Sequence, residues 1–164
     1  MEYSTLDKLG VRVSRLGFGC MRFPLTAEGK IDEPRAAAML DTAYKASVTY
    51  YDTAYFYHQH TGEAFLGRAM KRYPRDTFYL ATKMPMSIVE SLDHAKKIFE
   101  GQLAALQTDY VDFYLLHAVN GERWKQAQEM GIVDFLLEMQ KAGRIRHFGF
   151  SFHGSYEEFE TILT

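Results

Sequence analysis

Short apolar runs alternate along this chain with segments in which apolar residues recur every three or four positions. Four of the runs end on a polar side chain: Asp52, Lys83, His117 and Ser151. Strand-like runs separated by helical segments are typical of a parallel sheet with helical crossovers. The runs are apolar on both faces, as strands covered on both sides should be. The pattern therefore predicts an α/β fold.

The pattern also predicts where the elements lie. A hairpin is expected from strands at 3–6 and 11–13, with Gly10 supplying a positive φ in the turn. Asp32 is expected to cap the first helix, and either Ser87 or Ser91 the third. Residues 120–130 are polar and are expected to form an insertion with some helix. Core strands are expected at 15–19, 49–52, 77–83, 111–117 and 145–151, and further helices at 63–71, 132–141 and from Tyr156 onward.

The polar residues that end the runs indicate a site. Parallel strands present their carboxyl ends at one edge of a sheet, so Asp52, Lys83 and His117 are expected to meet there. Tyr57 follows Asp52 by five positions and would join them. The sequence therefore predicts that an acid, a phenol, an amine and an imidazole converge at this edge.

Composition narrows the classes of function. The 164 residues suit one domain, and 47% of them are apolar, which is a globular composition. The formal charge is −2 and no basic run stands out, so nucleic-acid binding is not expected. No apolar stretch is long enough for a bilayer, and no signal pattern precedes the first strand, so neither a membrane partner nor secretion is expected. With Cys20 as the only cysteine, a cytoplasmic location is expected.

Two kinds of site are not expected from the motifs. The histidines are scattered and there is a single cysteine, so no metal-ligand spacing is present and no metal is predicted. No GxGxxG stands between a strand and a helix, so a Rossmann site is not supported. Cys20 is most simply a small buried residue.

Five segments are recognisable as a set: residues 15–21 (RLGFGCM), 52–57 (DTAYFY), 62–67 (GEAFLG), 108–117 (TDYVDFYLLH) and 143–151 (GRIRHFGFS). With Thr82-Lys83, they resemble the aldo-keto reductase family in order and spacing. The resemblance implies a partial (β/α)₈ TIM barrel of about five βα units, preceded by an N-terminal hairpin. It also implies an oxidoreductase in which NADPH reduces a small carbonyl substrate, an aldehyde or a ketone, to an alcohol. The implied catalytic residues are Asp52, Tyr57, Lys83 and His117, and the implied cofactor-binding residues are Gly19, Met21, Asp52 and Ser151.

The four catalytic candidates suit this chemistry. The proton donor must lie within hydrogen-bond reach of the carbonyl oxygen, and Tyr57 is expected to fill that role. Tyrosine is a weak acid near neutral pH, and a neighbouring ammonium such as that of Lys83 stabilises the phenolate it leaves. Asp52 would hold Lys83 in place, and His117 would orient the carbonyl and donate a hydrogen bond to the developing charge.

Each candidate also has a plain structural interpretation. Asp52 could cap a helix, Tyr57 could be a packing residue, Lys83 could end a strand in water, and His117 could be an ordinary hydrogen-bonding residue. Their occurrence together, in family order, favours the catalytic interpretation. Among neighbouring residues, His58 could border the substrate mouth, and the mouth itself is expected to include Phe23, Tyr55 and Trp124.

Two departures from the family pattern complicate the prediction. Phe152 follows Ser151, where the family usually has an asparagine that helps hold the nicotinamide amide. The chain also ends before the segments that in the family carry most contacts to the cofactor's phosphates and adenosine, so domain 1–164 is expected to be incomplete at its C-terminus.

Three explanations stay open: a truncated product, a homodimer through open barrel edges, or an open sheet with one edge covered by the last helix. The alternative function is a non-catalytic binding or interaction protein on a half-barrel scaffold.

Overall fold

The computed structural model describes residues 1–163, and it begins with a hairpin. Strands β1 (Tyr3–Leu6) and β2 (Val11–Ser14) pair antiparallel around a short 3₁₀ turn at Asp7–Leu9. Gly10 closes the turn at φ +64°, a left-handed conformation that glycine adopts without steric cost. The predicted hairpin is therefore confirmed.

Five parallel strands follow, each hydrogen-bonded to the next along the chain. They are β3 (Phe18–Gly19), β4 (Tyr50–Asp52), β5 (Tyr79–Met84), β6 (Val111–Val119) and β7 (Ile145–Phe152). The predicted parallel α/β architecture is confirmed. The expectation of a strand over 15–19 was wrong for its first three residues, which are exposed and lie before the short edge strand. Thr77 also lies outside its predicted strand, because a 3₁₀ turn at Arg75–Thr77 precedes β5.

Six helices connect or flank the strands in residues 1–163. Asp32 caps the first by accepting a hydrogen bond from the Arg35 amide at 3.2 Å. Ser91, and not Ser87, caps the third, since its hydroxyl accepts from the His94 amide at 3.2 Å. None of these helices is both long and apolar enough to cross a membrane. They are α1 (Glu33–Lys45), α2 (Gly62–Met70), α3 (Leu92–Leu106), α4 (Gly121–Glu129), α5 (Ile132–Lys141) and α6 (Tyr156–Leu163).

The two faces of the sheet have different coverings. Side chains on the outer face, among them Tyr51, Leu80 and Tyr114, belong to the large core that packs beneath the helices. On the inner face Val11 of the hairpin packs with Ala81 and Phe113 in a second, smaller cluster. The hairpin therefore covers the inner face close to where the strands begin.

The strand register is staggered in a way that places the predicted site residues. Asp52 pairs with Ala81, two residues before Lys83, and Lys83 pairs with Leu115, two residues before His117. Steps of two keep the side chains on one face of a sheet. A regular stagger between neighbouring strands is the geometry by which a sheet curls into a barrel. The site residues therefore share the inner face near the carboxyl edge.

Candidate active site

Lys83 and Asp52 form an ion pair at the carboxyl edge of β4 and β5. The Lys83 Nζ lies 2.6 Å from Asp52 Oδ1 and donates a second hydrogen bond to the Thr53 carbonyl at 2.8 Å. The Lys83 side chain is only 7% exposed, whereas that of Asp52 is 28% exposed. A buried ammonium needs such partners, since an unpaired one would be strongly disfavoured. The pair therefore fixes a charged amine at the floor of the site.

Tyr57 lies over this amine. The Lys83 Nζ is 5.3 Å from the centroid of the Tyr57 ring, so the ammonium faces the aromatic surface. The Gly62 amide donates to the Tyr57 carbonyl at 3.2 Å, which closes the loop that carries the tyrosine. A side chain at Gly62 would start 3.1 Å from that carbonyl oxygen, a tight contact that favours glycine.

The loop after Tyr57 has an uncommon backbone. His58, Gln59 and His60 have φ values of 51°, 54° and 68°, a left-handed conformation that non-glycine residues rarely adopt in succession. The His58 ring stacks on Phe23, and its Nε2 lies 3.1 Å from the Cys20 carbonyl. The sequence indicated that His58 is a polar loop residue that could border the substrate mouth. In the structure its ring ties the loop to the segment that follows β3.

His117 completes the group on the neighbouring strand. Its ring centroid lies 6.4 Å from that of Tyr57, and the ring planes are nearly perpendicular at 84°. Strand β6 was expected to end at His117 but continues to Val119, with a register irregularity and a left-handed Ala118 (φ 53°) just after the histidine. Such irregularities re-aim side chains near sites. Burial, assisted by the nearby Lys83 ammonium, lowers the pKa of His117, so the neutral ring is favoured.

This lowered pKa has a consequence for pH. Because the folded-state pKa of His117 lies below its unfolded value of about 6.5, the unfolded chain binds the extra proton first as pH falls. The free energy of unfolding is therefore expected to be unaffected by this group above that value and to decrease below it. His147, whose pKa burial also lowers, acts in the same direction. An NMR titration should find the His117 ring titrating below about 6.5, and a midpoint at or above that value would contradict the described burial.

The known proteins that this chain resembles agree on one family. The aldo/keto reductase family model matches residues 15–164. The chain belongs to the aldo-keto reductase family. It is 30% identical over 172 residues to aldo-keto reductase YhdN of Bacillus subtilis, and the alignment covers 99% of this chain and 50% of YhdN. It is 27% identical over 154 residues to probable aldo-keto reductase 1 of Glycine max, covering 89% of this chain and 43% of that protein.

Solved structures support the same conclusion. The holo form of an aldo-keto reductase from Bacillus halodurans superposes with a TM-score of 0.76 at 32% identity, covering 93% of this chain and 50% of that one. The chain thus spans about half the length of the curated relatives it matches. Together with the staggered parallel sheet, this coverage confirms the predicted partial aldo-keto reductase barrel.

The residues implied by the family for cofactor binding lie on both sides of the four catalytic candidates. Gly19 pairs with Asp52, and nothing lies within 4 Å of the place where a side chain at Gly19 would begin. Met21 follows it in a 3₁₀ turn and is 54% exposed. Ser151, on β7, accepts a hydrogen bond from the Ala118 amide at 2.8 Å, next to His117. At this edge of the sheet Gly19 and Met21 are exposed, and Ser151 is half-buried.

The predicted mouth needs one correction. Phe23 does not line it, because the 3₁₀ turn at Cys20–Arg22 directs its ring inward, where it packs edge-on against Phe65 at 5.0 Å. Phe56, which sequence reasoning did not single out, lies nearer the chemistry, with its ring 6.3 Å from that of His117. Its position directly before Tyr57 was the available signal.

The remaining mouth and metal expectations can be placed as well. Tyr55 is half-buried and meets His60 edge-on at 4.7 Å, while Trp124 packs against Phe150 in the neighbouring aromatic cluster. Cys20 is fully buried, as expected of a small packing residue, and burial raises the pKa of its thiol. Within residues 1–163 there is no group of three or more side chains that could hold a metal ion.

Proposed function

We propose that this chain carries the reaction site of an NADPH-dependent aldo-keto reductase, with Tyr57 as the proton donor to a small aldehyde or ketone. One observation supports this most directly: the buried Lys83 ammonium lies between Asp52, at 2.6 Å, and the ring of Tyr57, at 5.3 Å from its centroid. A cation held in this way stabilises negative charge on a phenol oxygen.

Each of the four side chains has a task in this scheme. Tyr57 gives its phenolic proton to the carbonyl oxygen, which becomes the alcohol hydroxyl. Lys83 balances the phenolate that remains, and Asp52 keeps Lys83 charged and in position. His117, favoured in its neutral form by its lowered pKa, donates one N–H to the carbonyl oxygen and orients it. NADPH, when bound, would supply the hydride that reduces the carbonyl carbon.

The residues present suit the nicotinamide end of the cofactor. Gly19 leaves room for close approach, Met21 offers exposed apolar surface, and Ser151 and Asp52 supply polar atoms. Phe152 takes the position after Ser151 and packs among Phe150 and Phe159, so it cannot help hold an amide group. Contacts to the rest of the cofactor would have to come from outside the described half-barrel.

We propose that a second copy of the chain supplies them. Within residues 1–163, strands β3 and β7 each have a neighbour on one side only, and unpaired strand edges favour pairing with another chain. Beside β3 lies an apolar groove of about 530 Å³, lined by residues that include Leu16, Met39 and Val48. A two-fold axis parallel to the strands would join β7 of each copy to β3 of the other and keep every strand parallel. A cytoplasmic homodimer is therefore our proposed form.

An NADPH titration followed by cofactor fluorescence, run at several chain concentrations alongside light scattering, tests this proposal. Saturable binding that strengthens as the dimer forms is the expected result, since each copy would complete the other's site. Binding by a monodisperse monomer would overturn the dimer while keeping the reductase. No binding at millimolar cofactor by a folded chain would favour the alternative, a non-catalytic interaction protein that uses the exposed groove beside β3.

A further inference from the structure

A connected group of buried polar side chains lies on the outer face of the sheet, away from the four catalytic candidates. Glu63 is in the first turn of helix α2, Gln102 comes from α3, and Thr82 and Tyr114 come from the outer faces of β5 and β6. All four are at most 5% exposed. The proposed reaction does not use any of them, and buried polar groups are costly unless they are paired, so their presence calls for a physical reason.

The amide of Gln102 connects this group to the site. Its Nε2 donates to Glu63 Oε1 at 2.7 Å and to the main-chain carbonyl of Lys83 at 3.0 Å. Its Oε1 accepts a hydrogen bond from the Tyr114 hydroxyl. The Thr82 hydroxyl also donates to Glu63 Oε1. Glu63 is therefore bonded, directly and through Gln102, to the end of β5 that projects Lys83 into the site.

The other side of Glu63 leads to Tyr57. Glu63 follows Gly62, whose amide donates to the Tyr57 carbonyl at 3.2 Å and where a Cβ would lie 3.3 Å from that of Tyr57. Between Tyr57 and this helix start lie the three left-handed residues of the loop, each in a conformation that tends to relax unless the surroundings hold it. Glu63 thus joins the end of a strained loop to the end of a strand.

We infer that Glu63 is a positioning residue that acts through Gln102 and Thr82 to fix the distance between Tyr57 and Lys83. The inference rests on the proposed function, since it takes these two residues to be the proton donor and its cation. The burial that raises the pKa of Glu63 is consistent with a carboxyl group held firmly inside the protein. Residue 63 has to supply one oxygen that accepts two hydrogen bonds, from Thr82 and from Gln102. Glutamine can supply such an oxygen and alanine cannot.

The test compares Glu63→Ala and Gln102→Met with two references. Glu63→Gln keeps the acceptor oxygen and should resemble the parent chain. Asp112→Asn alters another fully buried carboxylate, one that pairs with Arg75 at 2.7 Å near the opposite end of the strands, and so reports the effect of general destabilisation. Amide hydrogen exchange and the NMR titration of His117 need no cofactor and no activity, so they remain informative if the proposed function fails.

In Glu63→Ala and Gln102→Met, amides of residues 55–61 should exchange about tenfold faster relative to the rest of the sheet. The titration midpoint of His117 should rise in these variants, because a loosened site would weaken the burial and the interaction with Lys83 that lower the pKa of His117 in the parent chain. Where turnover is measurable, kcat should fall by on the order of 10²-fold with KM little changed, as expected for a misplaced acid. The inference would be overturned if Glu63→Ala and Gln102→Met showed uniformly faster amide exchange, as expected for Asp112→Asn, and an unchanged titration midpoint of His117. If Glu63→Ala does not fold, Gln102→Met decides.

Discussion

Replacing Tyr57 with phenylalanine is expected to lower carbonyl reduction by about 10²- to 10⁴-fold, the usual contribution of a positioned general acid. The hydroxyl is the only group removed, so the ring over the Lys83 ammonium and the packing of Gly62 are retained. NADPH affinity should be nearly unchanged, because the loss falls on proton transfer. Turnover measured by cofactor absorbance, with binding measured separately, gives both quantities.

A matched control is available two residues earlier. Tyr55 is also half-buried at the same edge, but it contacts Phe56 and His60 and not Lys83. Because Tyr55 is one of the residues expected at the mouth, Tyr55→Phe can change KM, but it should keep most of kcat at saturating substrate. Equal losses in the two variants, or no loss in Tyr57→Phe, would remove Tyr57 as the proton donor. If the parent chain shows no turnover, and both Tyr57→Phe and Tyr55→Phe still bind a protein partner, the non-catalytic alternative would be favoured.

The second large effect concerns stability. Asp52→Ala leaves the Lys83 ammonium buried with only the Thr53 carbonyl as partner. Breaking a buried ion pair typically costs 3–5 kcal/mol, and because Asp52 is 28% exposed we expect a smaller loss of about 2–3 kcal/mol in the free energy of unfolding. Lys83→Met, which keeps most of the apolar stem and leaves a carboxylate that reaches water, should cost less than about 1 kcal/mol.

Urea unfolding of the two variants at neutral pH separates these outcomes. Both changes should abolish turnover, since Lys83→Met removes the cation and Asp52→Ala removes the carboxylate that positions it, so activity alone does not distinguish them. The asymmetry in stability is the diagnostic quantity, because it reports which partner is the more buried. Equal losses of stability would mean that Lys83 reaches solvent in the folded chain, contrary to its 7% exposure.

Much of the sheet could be predicted because its physical signals are local. Strands buried on both faces read as continuous apolar runs, and the polar residue that ends each run is visible in the sequence. The convergence of Lys83 and Asp52 at one edge followed from topology, once the strands were taken as parallel, and their pairing was expected from the chemistry that the family resemblance implies. The cap at Asp32 was equally readable, because a cap depends on a side chain and an amide three residues away.

Features that depend on tertiary contacts could not be predicted in the same way. Some helix was expected in residues 120–130 and is confirmed, but the bounds of α4 were not readable, because Ala127 is its only buried residue and its apolar pattern is faint. Gln102 resembles any polar residue on a helix, and only its position behind β5 gives it four hydrogen-bonding partners. Phe23 carries no sign in the sequence that a 3₁₀ turn directs it into the core. The extension of β6 past His117 depends on a left-handed alanine, which composition does not forecast.

The staggered register described above also determines where this protein can tolerate changes in length. One residue inserted into β5 between Ala81 and Lys83 would turn the lysine to the helix-covered face, because strand side chains alternate. The same insertion in residues 24–30 or 153–155 would lengthen an exposed connection and leave the pairing of the strands alone. Natural variation in length should therefore accumulate in the loops at this edge. Under the proposed function, it would alter which carbonyl compounds enter while the arrangement of Asp52, Lys83 and His117 is inherited unchanged.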